Sequence, residues 1–180
     1  MLHTLDDLLN AVPGLRRARS LNAEMLRMLL DRQDKQCTWC GEPVTKGRRL
    51  WCSDACVEGF QLRCCPNTAR AFVIRRDKNI CQLCGFDTHG AESTFRRELV
   101  LLRRDSTLAP YHLAIAIAEL ERKHHVARRV VREVDHIVPV IEGGGLCTVD
   151  QLRLLCGMCH AGVTSQLART RAGRRSKRKK

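Results

Sequence analysis

Val134-Asp135-His136-Ile137-Val138-Pro139-Val140 is followed, after Gly143-Gly144-Gly145, by Leu152-Arg153-Leu154-Leu155-Cys156-Gly157-Met158-Cys159-His160, a strand, a loop and a second strand entering a helix. Val130–Val134 is β-prone, and Pro139 with three glycines imposes a loop, read as flexible. Leu152–Leu155 then leads through a C-x2-C turn into a helix predicted to run through Leu167. The segment places a carboxylate, Asp135, beside an imidazole, His136, at a strand end. Hydrolysis of a phosphodiester needs a base for water and a cation for the departing oxygen. An imidazole titrating near neutrality can accept that proton, and a carboxylate is a hard oxygen ligand suited to Mg²⁺ or Mn²⁺. His160 is the candidate for a second ligand. On a helix it lies about 100° around from Cys159, so Cys159 can face zinc while His160 faces the cleft. Neighbours on a regular strand point to opposite faces, so Asp135 and His136 share a site only where the strand distorts.

Eleven cysteines fall mostly into C-x2-C and C-x3-C pairs. Cys37, Cys40, Cys52 and Cys56 form one self-contained set, because C-x2-C lets two sulfurs of one tight turn reach the same tetrahedral ion. Cys81 and Cys84 need a distant pair, and Cys156 with Cys159 is the comparable C-x2-C that remains. Both ions are expected to be structural Zn²⁺, since four thiolates leave no position open for water. Cys64, Cys65 and Cys147 read as free buried thiols, with Cys64-Cys65 an alternative source of one ligand and His160 an alternative to a cysteine.

The formal charge of +13 and a pI near 9.7 name a polyanion as the natural partner. Aromatic content of 4% is low for a core built from side chains alone, and metal staples compensate for a small core. The opening MLHTLDDLLNAVPGL carries acids where a signal peptide needs bases, and the apolar patch around Leu113–Ala118 is too short to span a bilayer. Zinc-bound thiolates in a reducing, intracellular setting (cytoplasm or nucleoid, or nucleus) are therefore expected, with no membrane partner.

Thr4 is a predicted N-cap for a short helix ending at Pro13-Gly14. Ser20 is read as the cap of a second, with Leu21, Met25, Met28 and Leu29 at helical spacing and Leu26 and Leu30 alongside. Ser53 can cap a helix through Phe60 and Leu62, which puts Cys56 on its first turn. Thr68 to Arg76 is helical, and Thr94 to Arg129 carries further helices broken at Pro110. The domain reading is 1–36 N-terminal helices, 37–66 zinc-knuckle module, 67–168 a second domain with a helical insertion over about 94–129, and 169–180 a basic disordered tail. Arg128, Arg129, Arg132, Arg169, Arg171, Arg174 and Arg175 are candidate phosphate contacts, a solvated basic face being the alternative for the first three. His89, His112, His124 and His125 read as solvated helix residues.

The run VDHIVPVIEGGG…TVDQLRLLCGMCH resembles the HNH (ββα-metal) endonuclease motif, and the flanking C-x2-C pairs match its zinc-stapled subgroup. WCSDACVEGF, CQLC and VDHIVPV are similar to the HNH domains that close vertebrate annealing helicases, over roughly residues 37–170. The resemblance implies a small α+β, zinc-stabilised fold. Its HNH core would carry inserted helices, preceded by a treble-clef-like or knuckle-type zinc module and N-terminal helices. It implies a DNA endonuclease or nickase leaving a 5′-phosphate and a 3′-hydroxyl, with His136 as general base and Asp135 and His160 holding one Mg²⁺ or Mn²⁺. Forked or branched DNA is a partner worth testing. The family's central Asn falls at Gln151, whose longer amide changes the hydrogen bond that orients the base. A non-catalytic zinc module that binds nucleic acid is the competing reading. A zinc adaptor for proteins is a third, and it leaves the charge and the Asp-His pair unexplained.

Overall fold

The computed structural model describes the backbone of residues 3–177 and the side chains through Arg174, so Arg175 as a phosphate contact and the end of the tail lie outside the described residues. Seven helices are found among them: α1 (Leu5–Ala11), α2 (Ala23–Leu29), α3 (Asp54–Cys64), α4 (Pro66–Arg76), α5 (Ala91–Arg104), α6 (Pro110–Lys123) and α7 (Gly157–Lys177). Two strands, β1 (Arg132–His136) and β2 (Leu152–Cys156), pair as a two-stranded sheet between α6 and α7. The flanking bonds Ile137 N–H to Gln151 O (2.9 Å) and Gly157 N–H to Val131 O (2.8 Å) run in opposite chain directions, so the pair is antiparallel. The chain is a small α+β protein. No helix among the described residues is long and apolar enough to cross a membrane.

Two compact units divide the chain: Met1–Arg75 with His136–Leu152, and Arg76–Asp135 with Arg153–Lys180. Residues 36 and 66 both fall inside the first unit.

In the first unit Thr4 caps α1 reciprocally: its Oγ1 accepts from Asp7 N–H at 3.1 Å, and the Asp7 carboxylate accepts from Thr4 N–H at 2.9 Å. Leu5, Leu8 and Leu9 then fall on one helical face and are buried with Leu26, Leu30, Phe60, Cys64 and Leu146. The cap of α2 is Asn22, not Ser20; its Oδ1 accepts from Met25 N–H at 2.7 Å. The later start follows from Leu21, which is buried and donates its N–H to Cys64 O (3.3 Å). Leu26 and Leu30 consequently face the core, while Met28 is 75% exposed. Arg27 reaches from α2 to the carbonyls of Gln36 (2.7 Å) and Gln33 (3.0 Å), which ties the N-terminal helices to the first cysteine knuckle.

The loop between the strands belongs to this unit. Gly145 donates its N–H to Arg16 O at 2.7 Å, and a Cβ there would stand 2.1 Å from Ala18 O. The glycines thus permit close backbone approach, which corrects the reading of this loop as flexible. Arg63 of α3 is the bolt: it grips both Asp6 oxygens (2.8 and 2.9 Å) and donates twice to Leu146 O (3.0 and 3.2 Å).

In the second unit α5 and α6 pack as a helical pair, with Phe95, Leu120, Val126 and Val131 buried between them and β1. The far side of β2 is closed by two bonds to Leu154, whose N–H goes to Asp77 Oδ2 (2.9 Å) and whose carbonyl accepts from Gln82 N–H (2.9 Å). Helix α7 passes the expected end at Leu167 and continues to Lys177, so residues 169–177 are not a disordered tail. Once its first turn is anchored, each added Ala or Arg costs little and no proline intervenes.

The hydrogen bond from Arg63 lowers the Asp6 carboxyl from 3.8, against a smaller opposing effect of burial. Replacing Arg63→Ala is expected to destabilise the chain by about 2–3 kcal/mol in urea unfolding, because the Leu146 carbonyl loses two charged donors. Asp6→Asn costs less, since the Asp6 side chain is 65% exposed. A carboxyl held low stabilises above its unfolded value, so the gap between Asp6→Asn and the parent closes as the pH falls below about 4. A gap that persists in acid would show that Asp6 acts by packing alone.

Candidate functional site

Two knuckles of the same construction carry the first pair of each cysteine quartet. Cys37 accepts at its carbonyl from Gly41 N–H (3.0 Å) and donates its own N–H to Glu42 O (2.8 Å). Cys81 repeats this with Gly85 (2.9 Å) and Phe86 (2.9 Å). The turn needs a left-handed residue after the second cysteine, and Gly41 (φ 82°) and Gly85 (φ 73°) supply it. The second pair of each quartet sits where a helix begins: Cys52 and Cys56 flank the Ser53 cap of α3, and Cys156 and Cys159 flank the start of α7. Ser53 Oγ accepts from Cys56 N–H at 3.3 Å, as its expected capping role requires.

All four sulfurs of each quartet lie within 4.8 Å of one another. The sulfur pairs Cys40–Cys52, Cys52–Cys56 and Cys40–Cys56 are 3.4, 3.5 and 3.7 Å apart, and Cys84–Cys156 is 3.7 Å. A tetrahedral zinc with bonds of about 2.3 Å sets its sulfurs about 3.8 Å apart. These spacings are far beyond a disulfide's, and all eleven cysteines are free. Each quartet fits one zinc ion. Cys64 is no substitute ligand: it lies in the leucine core of the first unit, and burial pushes its thiol up to about 12.

Each quartet holds one sulfur below the ordinary thiol range. Burial raises Cys37, but the N–H groups of Cys40, Cys52 and Trp39 outweigh it and bring the thiol down to about 6. At Cys81 burial is likewise outweighed, by the N–H groups of Cys156, Cys84 and Leu83, and the value is about 7. Burial pushes Cys40 up to about 12 and Cys156 to about 11. A cation is what draws the remaining protons off.

His125 was not legible as part of a site. It stands in the left-handed region (φ 51°), stacks on Phe86 at 4.1 Å, and brings Nδ1 to 3.5 Å from Cys156 Sγ and 3.8 Å from Cys84 Sγ. A proton on Nδ1 would donate to both thiolates and disperse their charge. His124 is buried, with Nε2 3.0 Å from the Glu98 carboxylate. Both correct the reading of these histidines as solvated; only the tertiary turn after α6 sets them inward. His89 and His112 are exposed.

The remaining predicted residues are divided between the units. Asp135 and His160 belong to the second, His136 and Gln151 to the first. Asp135 is half-buried on β1 and accepts from one terminal nitrogen of Arg153 on β2 at 3.3 Å, while Arg153 Nε is buried without a partner. His136 ends β1, half-buried, and His160 lies in the first turn of α7, also half-buried. The Gln151 side chain is exposed, and the hydrogen bond to the strand is made by its carbonyl, which accepts from Ile137 N–H. Among the described residues the two cysteine quartets are the groups with metal-binding spacing, and neither includes Asp135, His136 or His160.

Against known proteins, the chain is 34% identical over 112 residues to the DNA annealing helicase and endonuclease ZRANB3 of Mus musculus. It is 30% identical over 104 residues to the protein of that name from Homo sapiens. Each match covers 57% of this chain and 10% of the relative, so the chain spans about a tenth of the length of the curated relatives it matches. No family model matches the chain. No solved structure matches it either.

Protein purified without added metal is expected to carry two zinc ions. Cys40→Ser and Cys84→Ser should each lose one, with amide-exchange protection falling first in the unit that holds the altered quartet. Because binding needs thiolates, retention should weaken as the pH falls. Metal analysis after dialysis at stepped pH reads both; one ion in the parent protein would refute the paired-quartet assignment.

Proposed function

We propose that this chain is a metal-dependent DNA endonuclease or nickase of the HNH type, hydrolysing phosphodiesters to a 5′-phosphate and a 3′-hydroxyl. The observation that carries the reading is a strand–strand–helix run with Asp135-His136 closing β1 and His160 in the first turn of α7, directly after Cys159 of the second quartet. The curated relatives support it, because their name includes an endonuclease acting beside a DNA annealing helicase. The charge of +13 supports DNA as partner, and arginines 169, 171 and 174 extend basic charge along α7.

In this reading His136 takes the proton from the attacking water, and the Gln151 loop sets where that imidazole stands. Asp135 and His160 would hold one divalent ion, a hard carboxylate with a borderline imidazole suiting Mg²⁺ or Mn²⁺. The ion, when bound, would stabilise charge on the departing 3′-oxygen. Arg153 must release Asp135 for that role, and its single 3.3 Å contact is a weak hold. Such an enzyme works inside the cell, and forked DNA is a substrate to try beside duplex.

The exposed Gln151 side chain favours one second reading, a non-catalytic module that binds nucleic acid. Supercoiled plasmid with Mg²⁺ or Mn²⁺ separates the two. Nicking or linearisation is expected, stopped by EDTA and reduced about 10²–10⁴-fold in His136→Ala, with Mn²⁺ at least as effective as Mg²⁺. Cleavage that survives in His136→Ala removes the base; binding without cleavage in the parent protein leaves the second reading.

A further inference from the structure

Between α6 and β1 the chain makes a turn whose residues contradict its shape. Ala127 and Val130 exchange both backbone hydrogen bonds (3.1 and 2.9 Å), leaving Arg128 and Arg129 as a two-residue loop. Both are left-handed, with φ of 51° and 65°. Positive φ at both central positions is the conformation that Asn-Gly adopts freely and that a long side chain resists. Both arginines are exposed, so no packing explains them.

Around this turn lie more guanidinium groups of the same unit. Arg96 and Arg103 stand two turns apart on α5, on one helical stripe. With Arg129 they wall a depression of about 250 Å³, and Arg96 is shared with an adjoining depression of about 530 Å³ that Arg132 also lines. Glu92 is the acid in both, neutralised by Arg96 at 2.6 Å. Among the described residues no hydrogen bond or ion pair engages the side chains of Arg103, Arg128 or Arg129.

We propose that the Arg128-Arg129 turn and the Arg96–Arg103 stripe of α5 form a face that binds the phosphate backbone of DNA. The inserted helices are thereby a docking element, and the strained turn is kept for the charges that it projects. This rests on the DNA reading above. Because the contacts are to phosphate, they add affinity and salt dependence but no base preference.

The test is anisotropy of a short fluorescein-labelled duplex against salt, read beside thermal unfolding. Arg128→Asn/Arg129→Gly is expected to lower the slope of log affinity against log salt by about 1.8, for two lost phosphate contacts. The same variant should raise the unfolding midpoint by about 5 °C, since the replacements suit the turn. Loss of binding in a more stable protein is an outcome that misfolding does not produce. Arg96→Gln/Arg103→Gln, on an exposed helix face, should flatten the slope similarly. A parent protein that binds duplex, with both variants unchanged in slope, overturns the face alone. A parent protein that does not bind duplex overturns the DNA reading with it, and a midpoint that falls in the turn variant refutes the strain argument.

Discussion

Four sulfurs converging at the start of a helix are the arrangement on which this chain depends, and it occurs twice. Each quartet joins a knuckle to a distant helix N-terminus, α3 in one unit and α7 in the other. With so few aromatic side chains, apolar burial supplies a leucine cluster in one unit and a smaller set around Phe95 in the other. Ligand bonds to an ion in each quartet would order the segments between, because each would close a loop that the chain otherwise leaves open. The amides that lower Cys37 and Cys81 come from both halves of each quartet, Cys40 and Trp39 with Cys52 in one and Cys84 and Leu83 with Cys156 in the other, so this lowering depends on the two halves having met.

The quartets were legible because C-x2-C spacing is a local constraint that leaves few ways to complete a tetrahedron. Thr4 and Ser53 were legible for the same reason: a cap needs only an oxygen within three residues of a free amide. Where the outcome hung on contacts across the chain, the sequence was silent. Ser20 and Asn22 are equally good caps, and the choice between them is made by Leu21, whose amide goes to Cys64. Gly144 and Gly145 looked like freedom of motion; their backbone is instead pressed against neighbouring carbonyls. No propensity scale would place Arg128 and Arg129 in a left-handed turn, or turn His125 toward cysteines numbered 84 and 156.

The loop between the strands belongs to the first unit. Its carbonyl at Leu146 and amide at Gly145 are held by Arg63 and by Arg16 O, both far from the strands in sequence. His136 and Gln151 sit at the two ends of that loop. The order of the N-terminal helices therefore bears on the backbone that carries both residues, through hydrogen bonds rather than through any direct contact with them.

The crowding of sulfurs has a chemical corollary. Cys40 and Cys52 stand 3.4 Å apart, with Cys56 within reach of each. Zinc shields such thiolates, but an oxidant that converts one to a sulfenic acid finds a resolving thiol already beside it. Condensation to a disulfide then removes two ligands in a single event and ejects the metal. Oxidation of one sulfur would thus cost a whole quartet its ion.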